Sequence, residues 1–340
     1  MGIAAIWILI YHEYIRLTQD GAFAALEFAE RFIKRIGFCG VDIFFLLSGI
    51  GLTFAIKKEK LPRFYYRRIR RVALPFLAIA AVRAVTEQWD LSFFIKNVTG
   101  YHFYTRSIYS LLWFVPAIVT FYLLFPLYYR LFDDAENKTL FTAGAIMLWL
   151  LVTLILRERQ RNDLFGFTNR VPVFLIGVLF GWLTQNRKEL VFTKRTYLFL
   201  LIAFLLGLYL AYLANFKNYE LLVPVGNCCL PNCLIAVSLP LLLAKAFDFC
   251  ARCIPRIEKA AVGFFAFFGV ISLEFYCVQE WFSDLMIPKL RNAGLPDALI
   301  NLAIFAMVTA IAWAASKVFE YFWQLVELPF AKKKKAAAES

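Results

Sequence analysis

The chain of 340 residues is 61% hydrophobic and 18% aromatic, and its formal net charge is +13. A soluble protein would be about 45–50% apolar, so this composition excludes a soluble domain and indicates a polytopic membrane protein. The basic residues lie in short blocks between apolar runs, so the positive charge reflects membrane topology and argues against nucleic-acid binding.

Ten apolar runs follow one another along the chain, most of them close to the ~20 residues that a transmembrane helix requires. They lie near residues 2–17, 37–56, 72–86, 111–129, 139–156, 171–184, 196–214, 224–246, 261–282 and 297–319. We therefore predict an all-α protein with about ten transmembrane helices. We assign residues 1–330 to one membrane domain and residues 331–340 to a basic tail.

The segments that join these runs alternate between the two sides of the membrane. Lysine and arginine are more frequent on one of the two sides. That side includes the block at 57–71 and the tail AKKKKAAAES, whose lysines are expected to contact anionic lipid headgroups. The positive-inside rule then predicts a multi-pass protein of the cell membrane with both termini in the cytoplasm.

The first run, MGIAAIWILIYHEYIRL, carries His12 and Glu13 side by side near its end. A helix from Met1 to His12 covers only ~18 Å of a hydrocarbon core that is ~30 Å thick. We therefore expect the natural protein to begin upstream of Met1. A signal peptide is the weaker interpretation, because the run lacks a basic start and a small-residue cleavage site.

Polar and ionisable residues within apolar runs are candidates for function, because burying them in lipid is costly. In the predicted topology, six of them lie toward the outer leaflet: His12, Glu13, Asp42, Arg170, Gln279 and Glu280. Structural roles remain open, since Asp42 can cap the second helix and the glutamates can lie at headgroup level. Histidine transfers protons well near neutral pH, and the second histidine, His102, falls in a predicted loop.

A basic block, LPRFYYRRIRRVALPF, precedes the third run. Arg67, Arg68 and Arg71 are three or four residues apart, so one helical face can present all three. Guanidinium groups match phosphate oxygens, which makes this face a candidate site for a phosphate-rich ligand. The alternative is that these arginines only anchor the helix at the inner surface.

The seven cysteines include the pair Cys250 and Cys253 in the sequence CARC. A predicted helix of ~25 Å separates this pair from Cys233. Zinc ligands lie within ~2.3 Å of the metal, so these cysteines cannot bind one ion together. We therefore predict buried free thiols and no metal site.

Several segments resemble, in their order along the chain, the motifs of one known family. They are GIAAIWILIYH, GVDIFFLLSGIGL, RRIRRVALPF, LLWFVPAIVTFYLLFPL, NRVPVFLIGVLFGW and GVISLEFYCVQEWF. Together they are similar to the membrane acyltransferase family 3, and the resemblance covers essentially the whole chain. That family transfers acyl groups, commonly acetyl, to extracytoplasmic glycans and related acceptors.

The family's first helix has an arginine, ten residues and then a histidine. Here His12 holds the histidine position and the arginine position falls on Met1, which again suggests an upstream start. The last of these motifs commonly ends in a histidine, where this chain has Gln279. That departure argues against a role for a second histidine and affects which type of acceptor is expected.

The resemblance implies a mechanism in which His12 is the general base that takes a proton from an acceptor hydroxyl. The donor is then acyl-CoA, in the simplest case acetyl-CoA, with its phosphates held by Arg67, Arg68 and Arg71. The acceptor is a glycan or a lipid-linked saccharide.

Four further residues receive roles by the same reasoning. Glu13 or Asp42 is expected to orient the imidazolium, and Arg170 or Ser48 to meet the developing negative charge. Two other interpretations stay open at this point. The chain can be a transporter or flippase of a lipid-linked glycan, although it shows no inverted repeat, or an inactive relative that scaffolds other proteins.

Overall fold

The computed structural model of the chain describes residues 1–18, 24–106, 112–159, 164–186, 192–217 and 229–339, and these contain helices but no strand. The helices are α1 (Gly2–Glu13), α2 (Ala24–Arg35), α3 (Cys39–Ile56), α4 (Leu61–Thr86), α5 (Leu91–Val98), α6 (Tyr101–Arg106), α7 (Phe114–Asp134), α8 (Lys138–Glu158), α9 (Phe165–Thr168), α10 (Val171–Asn186), α11 (Lys194–Phe216), α12 (Cys229–Cys253), α13 (Pro255–Val270), α14 (Ser272–Asn292) and α15 (Asp297–Glu339). The predicted all-α membrane fold is confirmed. Residues 111 and 224–228 of the predicted runs lie outside the described ranges.

Fewer helices than predicted are long and apolar enough to cross a membrane. Seven qualify within the described ranges, or eight if α13 and α14 together form one bent span. The helix α1 has only 12 residues, and the first half of α4 carries the basic block. The expected count of about ten spans is therefore not confirmed.

The ninth predicted span, 261–282, is divided into two helices. The helices α13 and α14 meet at Ile271 and are bent by 70° relative to each other. The run 261–282 contains no proline, and Gly269 is the only helix-weakening residue near the bend, so the sequence offered little warning of this break. The Oγ of Ser272 donates to the carbonyl of Gly269 across the bend, at 3.0 Å.

Glycines bring α3 and α10 into backbone contact. A Cβ added at Gly49 would lie 2.4 Å from the carbonyl oxygen of Phe174, and one added at Gly177 would lie 2.2 Å from that of Leu46. Small residues permit this close approach. In lipid the hydrophobic effect contributes little to helix association, so close packing of this kind stabilises the helix pair. The pair forms the centre of the larger of two hydrophobic cores.

The second core joins the first helix to the last two. Ala5 and Leu9 of α1 pack with Phe275 of α14 and with Ile300 and Ile304 of α15. By contrast, α8 and α11 expose most of their leucines, as helices facing lipid do. The two cores therefore meet along α1, α3 and α14, and the candidate site lies there.

Candidate functional site

A central cavity lies between α1, α3, α4, α7 and α14. Most of its wall is apolar, with Ala5, Val41, Phe44, Phe114 and Ile118 among the lining residues. Its polar lining residues are Ser48, Arg71, Tyr122, Ser272, Tyr276 and Gln279. A cavity with a mainly apolar wall and a few polar groups is the usual form of a ligand-binding site.

The helix α1 contributes one face to this cavity. Met1, Ala5 and Ile8 line it, and their spacing of four and three residues places them in one row along the helix. His12 continues that row four residues beyond Ile8, about 6 Å farther along the axis. Its side chain is exposed, and its ring packs edge-on against Tyr11 with centroids 4.8 Å apart.

Acidic residues gather around the same end of α1, which we call the His12 end of the bundle. Glu13 lies close to Glu280, Ser283 and Asp284 of α14. Glu280 accepts a hydrogen bond of 3.2 Å from the hydroxyl of Tyr276, which also lines the central cavity. Glu13 and Glu280, which the sequence places only at a similar depth in the membrane, therefore lie near each other in the fold.

A lysine from outside the spanning helices balances part of this negative charge. Lys34, near the end of α2, interacts electrostatically with Glu13 and donates a hydrogen bond to the carbonyl of Tyr14. Burial lowers the pKa of the Lys34 ammonium group. The contact fixes the end of α1 against α2.

Asp42 and Arg170 form a separate, fully buried pair between α3 and the start of α10. The Nε of Arg170 lies 3.6 Å from Oδ1 of Asp42, and the amide of Asn232 donates to Oδ2 at 2.7 Å. The guanidinium also donates to the carbonyl of Gly166 and lies over the ring of Trp113. No hydrogen bond or salt bridge in the described part of the chain joins Asp42 to His12, so the six polar residues form two groups.

The arginines of the basic block divide between two environments. Arg67 and Arg71 line a second, open space between α4, α14 and α15, which we call the basic hollow. Arg68 instead turns toward Phe64, with its guanidinium 5.6 Å from the ring centroid. Sequence reasoning missed Arg70 and Lys317, which also line the hollow.

Most cations of the basic hollow already have acidic partners. Arg67 pairs with Glu59, Arg70 with Glu327, and Lys317 with Glu320. Arg71 forms no salt bridge with any described residue, and its Nη2 donates to the carbonyl of Val270 at 3.3 Å. Arg71 also lines the central cavity, so it stands where the two spaces adjoin.

A proline shapes the helix at this point. Pro75 lies inside α4, four residues after Arg71. Because proline has no N–H, the carbonyl of Arg71 lacks its usual helical donor. The helix α4 continues through Pro75 but lacks one backbone hydrogen bond there, next to the basic hollow, which Pro75 itself lines.

Ser48 and Gln279 lie on opposite walls of the central cavity. Ser48 belongs to α3, and Phe38 just before that helix packs against Tyr11, with ring centroids 5.6 Å apart. Ser48 is thus about 15 Å along α3 from the His12 end. Gln279 lies on α14 and is fully buried, one residue before Glu280.

The second histidine is part of a different contact region. His102 on α6 is buried, and its ring lies 4.9 Å from that of Phe93 on α5. It does not line the central cavity. His12 and His102 therefore differ in surroundings, which makes His102 a suitable control.

Sequence comparison agrees with the architecture. Residues 2–317 match the family model for the acyltransferase domain of acyltransferase family 3. No curated protein and no solved structure matched the chain. The matched segment covers nearly all of the helical bundle and most residues that line the two spaces described above. The chain therefore belongs to acyltransferase family 3, a family of acyltransferases.

Proposed function

We propose that the protein transfers an acyl group, in the simplest case acetyl, from acyl-CoA to a hydroxyl of a glycan or lipid-linked saccharide. The observation that carries this proposal is the row Met1, Ala5, Ile8 and His12 on α1, which runs along the cavity wall and ends at an exposed imidazole. His12 lies one turn beyond Ile8 and does not itself line the cavity. We propose that one ligand occupies the cavity and extends to His12, while a second approaches from outside.

The chemistry assigned to His12 is general base catalysis. Its imidazole takes the proton as the acceptor oxygen attacks the thioester carbonyl, and an O–C bond forms. The C–S bond then breaks, and the proton passes to the leaving thiolate, which departs as CoA. The products are an ester on the saccharide and free CoA, so no oxidant or metal is consumed.

The donor is proposed to enter from the basic hollow. Its phosphates would lie beside Arg71 and Arg67, and its narrow arm would continue through the central cavity. Along α14, the distance from Ser272 beside Arg71 to Ser283 beside Glu13 is about 16 Å. That is a distance that an extended pantetheine arm spans, which supports delivery of the thioester to the His12 end.

The positions of Glu13, Asp42 and Ser48 support the roles assigned to them to different degrees. Glu13 lies at the His12 end and is the favoured carboxylate for orienting the imidazolium. Asp42 is engaged by Arg170 and Asn232, so we assign that pair to holding α3, α10 and α12 together. Ser48 lies far from the His12 end, and we place it beside the donor arm.

The cellular setting is proposed from the charge distribution. The basic block at 57–71 and the positive-inside rule support a donor side in the cytoplasm, where acyl-CoA is made, and we propose that both termini lie on that side. The His12 end then faces the exterior of the cell membrane, where glycan acceptors are. Lipids surround the exposed leucines of α8 and α11.

The test is acylation of the glycan by wild type and variants, measured by mass spectrometry together with protein level. His12→Ala should reduce acylation by a factor of about 10²–10⁴, the usual cost of losing a general base. His102→Ala is the matched control and should retain most activity. Normal acylation by His12→Ala would remove His12 from the mechanism.

The transporter alternative is addressed by the purified protein. With acetyl-CoA and a soluble saccharide acceptor, an acyltransferase releases free CoA, whereas a flippase leaves the thioester intact. Membership of an acyltransferase family favours the first result. Intact acetyl-CoA in an assay that moves labelled glycan across the bilayer would favour the second.

A further inference from the structure

Gln279 has a buried side-chain amide that makes no hydrogen bond with the described part of the chain. Its side chain is 0% exposed, and neither Oε1 nor Nε2 has a partner among the described residues. The residue lines the central cavity. Burying an amide without hydrogen bonds is costly, so a native protein usually satisfies such a group by a protein atom, a water or a ligand.

The surroundings of Gln279 restrict the kind of ligand that fits. Val41, Phe44 and Phe114 form apolar parts of the same wall. The carboxamide supplies one acceptor and two donors and carries no charge. The matching ligand segment is therefore narrow, mostly apolar and neutral, and offers both an N–H and a C=O.

We propose that Gln279 hydrogen-bonds a secondary amide in the pantetheine arm of acyl-CoA, an inference that rests on the function proposed above. That arm is a thin chain of methylene groups with two secondary amides, each with one N–H and one C=O. A sugar acceptor fits this wall less well, because its many hydroxyls need many polar partners.

The position of Gln279 along the cavity agrees with this assignment. It lies on α14 about 10 Å beyond Ser272, which stands beside the Arg71 end of the cavity. Toward the His12 end, one turn further, Ser283 lies close to Glu13. Gln279 is therefore between the site assigned to the phosphates and the site assigned to the thioester, where the arm has its amides.

The experiment measures binding to purified protein in lipid nanodiscs by isothermal titration calorimetry, so that it needs no turnover. The probes are CoA and adenosine 3′,5′-bisphosphate, which retains nucleotide phosphates but lacks the arm. Gln279→Leu should weaken CoA binding by roughly tenfold, the value of one or two neutral hydrogen bonds, and leave the bisphosphate unchanged. Gln185→Leu, on α10 outside the cavity, is the matched control and should bind both probes as wild type does.

A second measurement uses the stability of the empty protein. Since Gln279 is buried without partners, Gln279→Leu should raise the thermal midpoint without ligand and reduce the further rise that CoA produces. A merely structural glutamine would give the opposite, a lower midpoint without ligand.

The possible outcomes separate this inference from the proposed function. If wild type binds CoA and Gln279→Leu binds it equally well, the amide contact is wrong and the donor assignment stands. If both probes weaken equally in Gln279→Leu, the residue acts on the whole site and the inference also fails. If wild type binds no CoA at all, the proposed donor is wrong and this inference fails with it.

Discussion

The Nε of Arg170 lies 3.6 Å from the carboxylate of Asp42, and both side chains are buried between α3 and α10. The pair is completed by the amide of Asn232 on α12, at 2.7 Å from the same carboxylate. Three helices that are distant in sequence thus share one polar contact. The Asp42–Arg170 pair therefore holds these helices together, and we expect its loss to lower the stability of the fold.

Removing one member of this pair should destabilise the protein strongly. Asp42→Ala leaves the Arg170 charge buried without its partner, which typically costs about 3–5 kcal/mol. We expect a sharp drop in folded protein, measured by size-exclusion chromatography after heating. The double variant Asp42→Leu with Arg170→Met should recover much of the loss, because it buries no charge.

Activity of that double variant decides between two roles for Asp42. If the pair is structural, glycan acylation returns along with the folded protein. A folded but inactive double variant would show that Asp42 or Arg170 takes part in the reaction.

The basic hollow predicts unequal effects among the arginines of α4. Arg71→Ala should raise the apparent KM for acyl-CoA by about tenfold or more with a smaller change in kcat, since a charge-assisted hydrogen bond contributes about 1.5–3 kcal/mol. Arg68→Ala should change KM less, because its guanidinium lies against Phe64. Steady-state kinetics on purified variants provide the measurement, and equal KM values for the two variants would contradict the assignment.

The close approach of α3 and α10 predicts a difference between two glycines on one helix. Gly49→Ala places a methyl group 2.4 Å from a backbone oxygen of α10 and should cost about 1–3 kcal/mol. Gly51→Ala meets no atom within 4 Å and should be neutral or stabilise the helix by up to about 1 kcal/mol. Thermal midpoints in detergent test both, and equal midpoints would mean that the helices are farther apart.

The proposed topology is tested by cysteine labelling of intact cells in a cysteine-free background. Single cysteines at Lys58 and Lys334 should resist a membrane-impermeant reagent and react only after the cells are opened. Reaction at both positions in intact cells would invert the orientation. The donor would then have to enter from the opposite side, and the proposed path from Arg71 to His12 would be wrong.

The sequence predicted the helical character of this protein well, because long apolar runs have few alternatives in lipid. Each predicted run overlaps a helix, and the run at 139–156 is within two residues of α8 at both ends. The break at Ile271 was missed, since the apolar run continues across it without a proline. The short length of α1 likewise left the number of spans open.

The candidate site was predictable only in part. The sequence placed Glu13 and Glu280 at a similar depth in the membrane, but it could not predict that they lie near each other. The contact of Asp42 with Asn232 was not predictable either, because it joins positions 190 residues apart. Spacing on α4 allowed Arg68 to share a face with Arg71, but Arg68 lies against the ring of Phe64 and does not line the basic hollow. The direction that such a side chain takes depends on its contacts in the fold, and the local sequence does not indicate it.

The glycine contacts of α3 and α10 also set how the central cavity can change shape. Two helices whose backbones touch cannot slide or tilt against each other without a clash, so α3 is an unyielding wall of the cavity. The facing wall is α14, which is joined to α13 only across the bend at Ile271. We therefore expect a widening that admits a bulky donor to involve a swing of α14 about Ile271, with Arg71, bonded to Val270 at that bend, at the pivot.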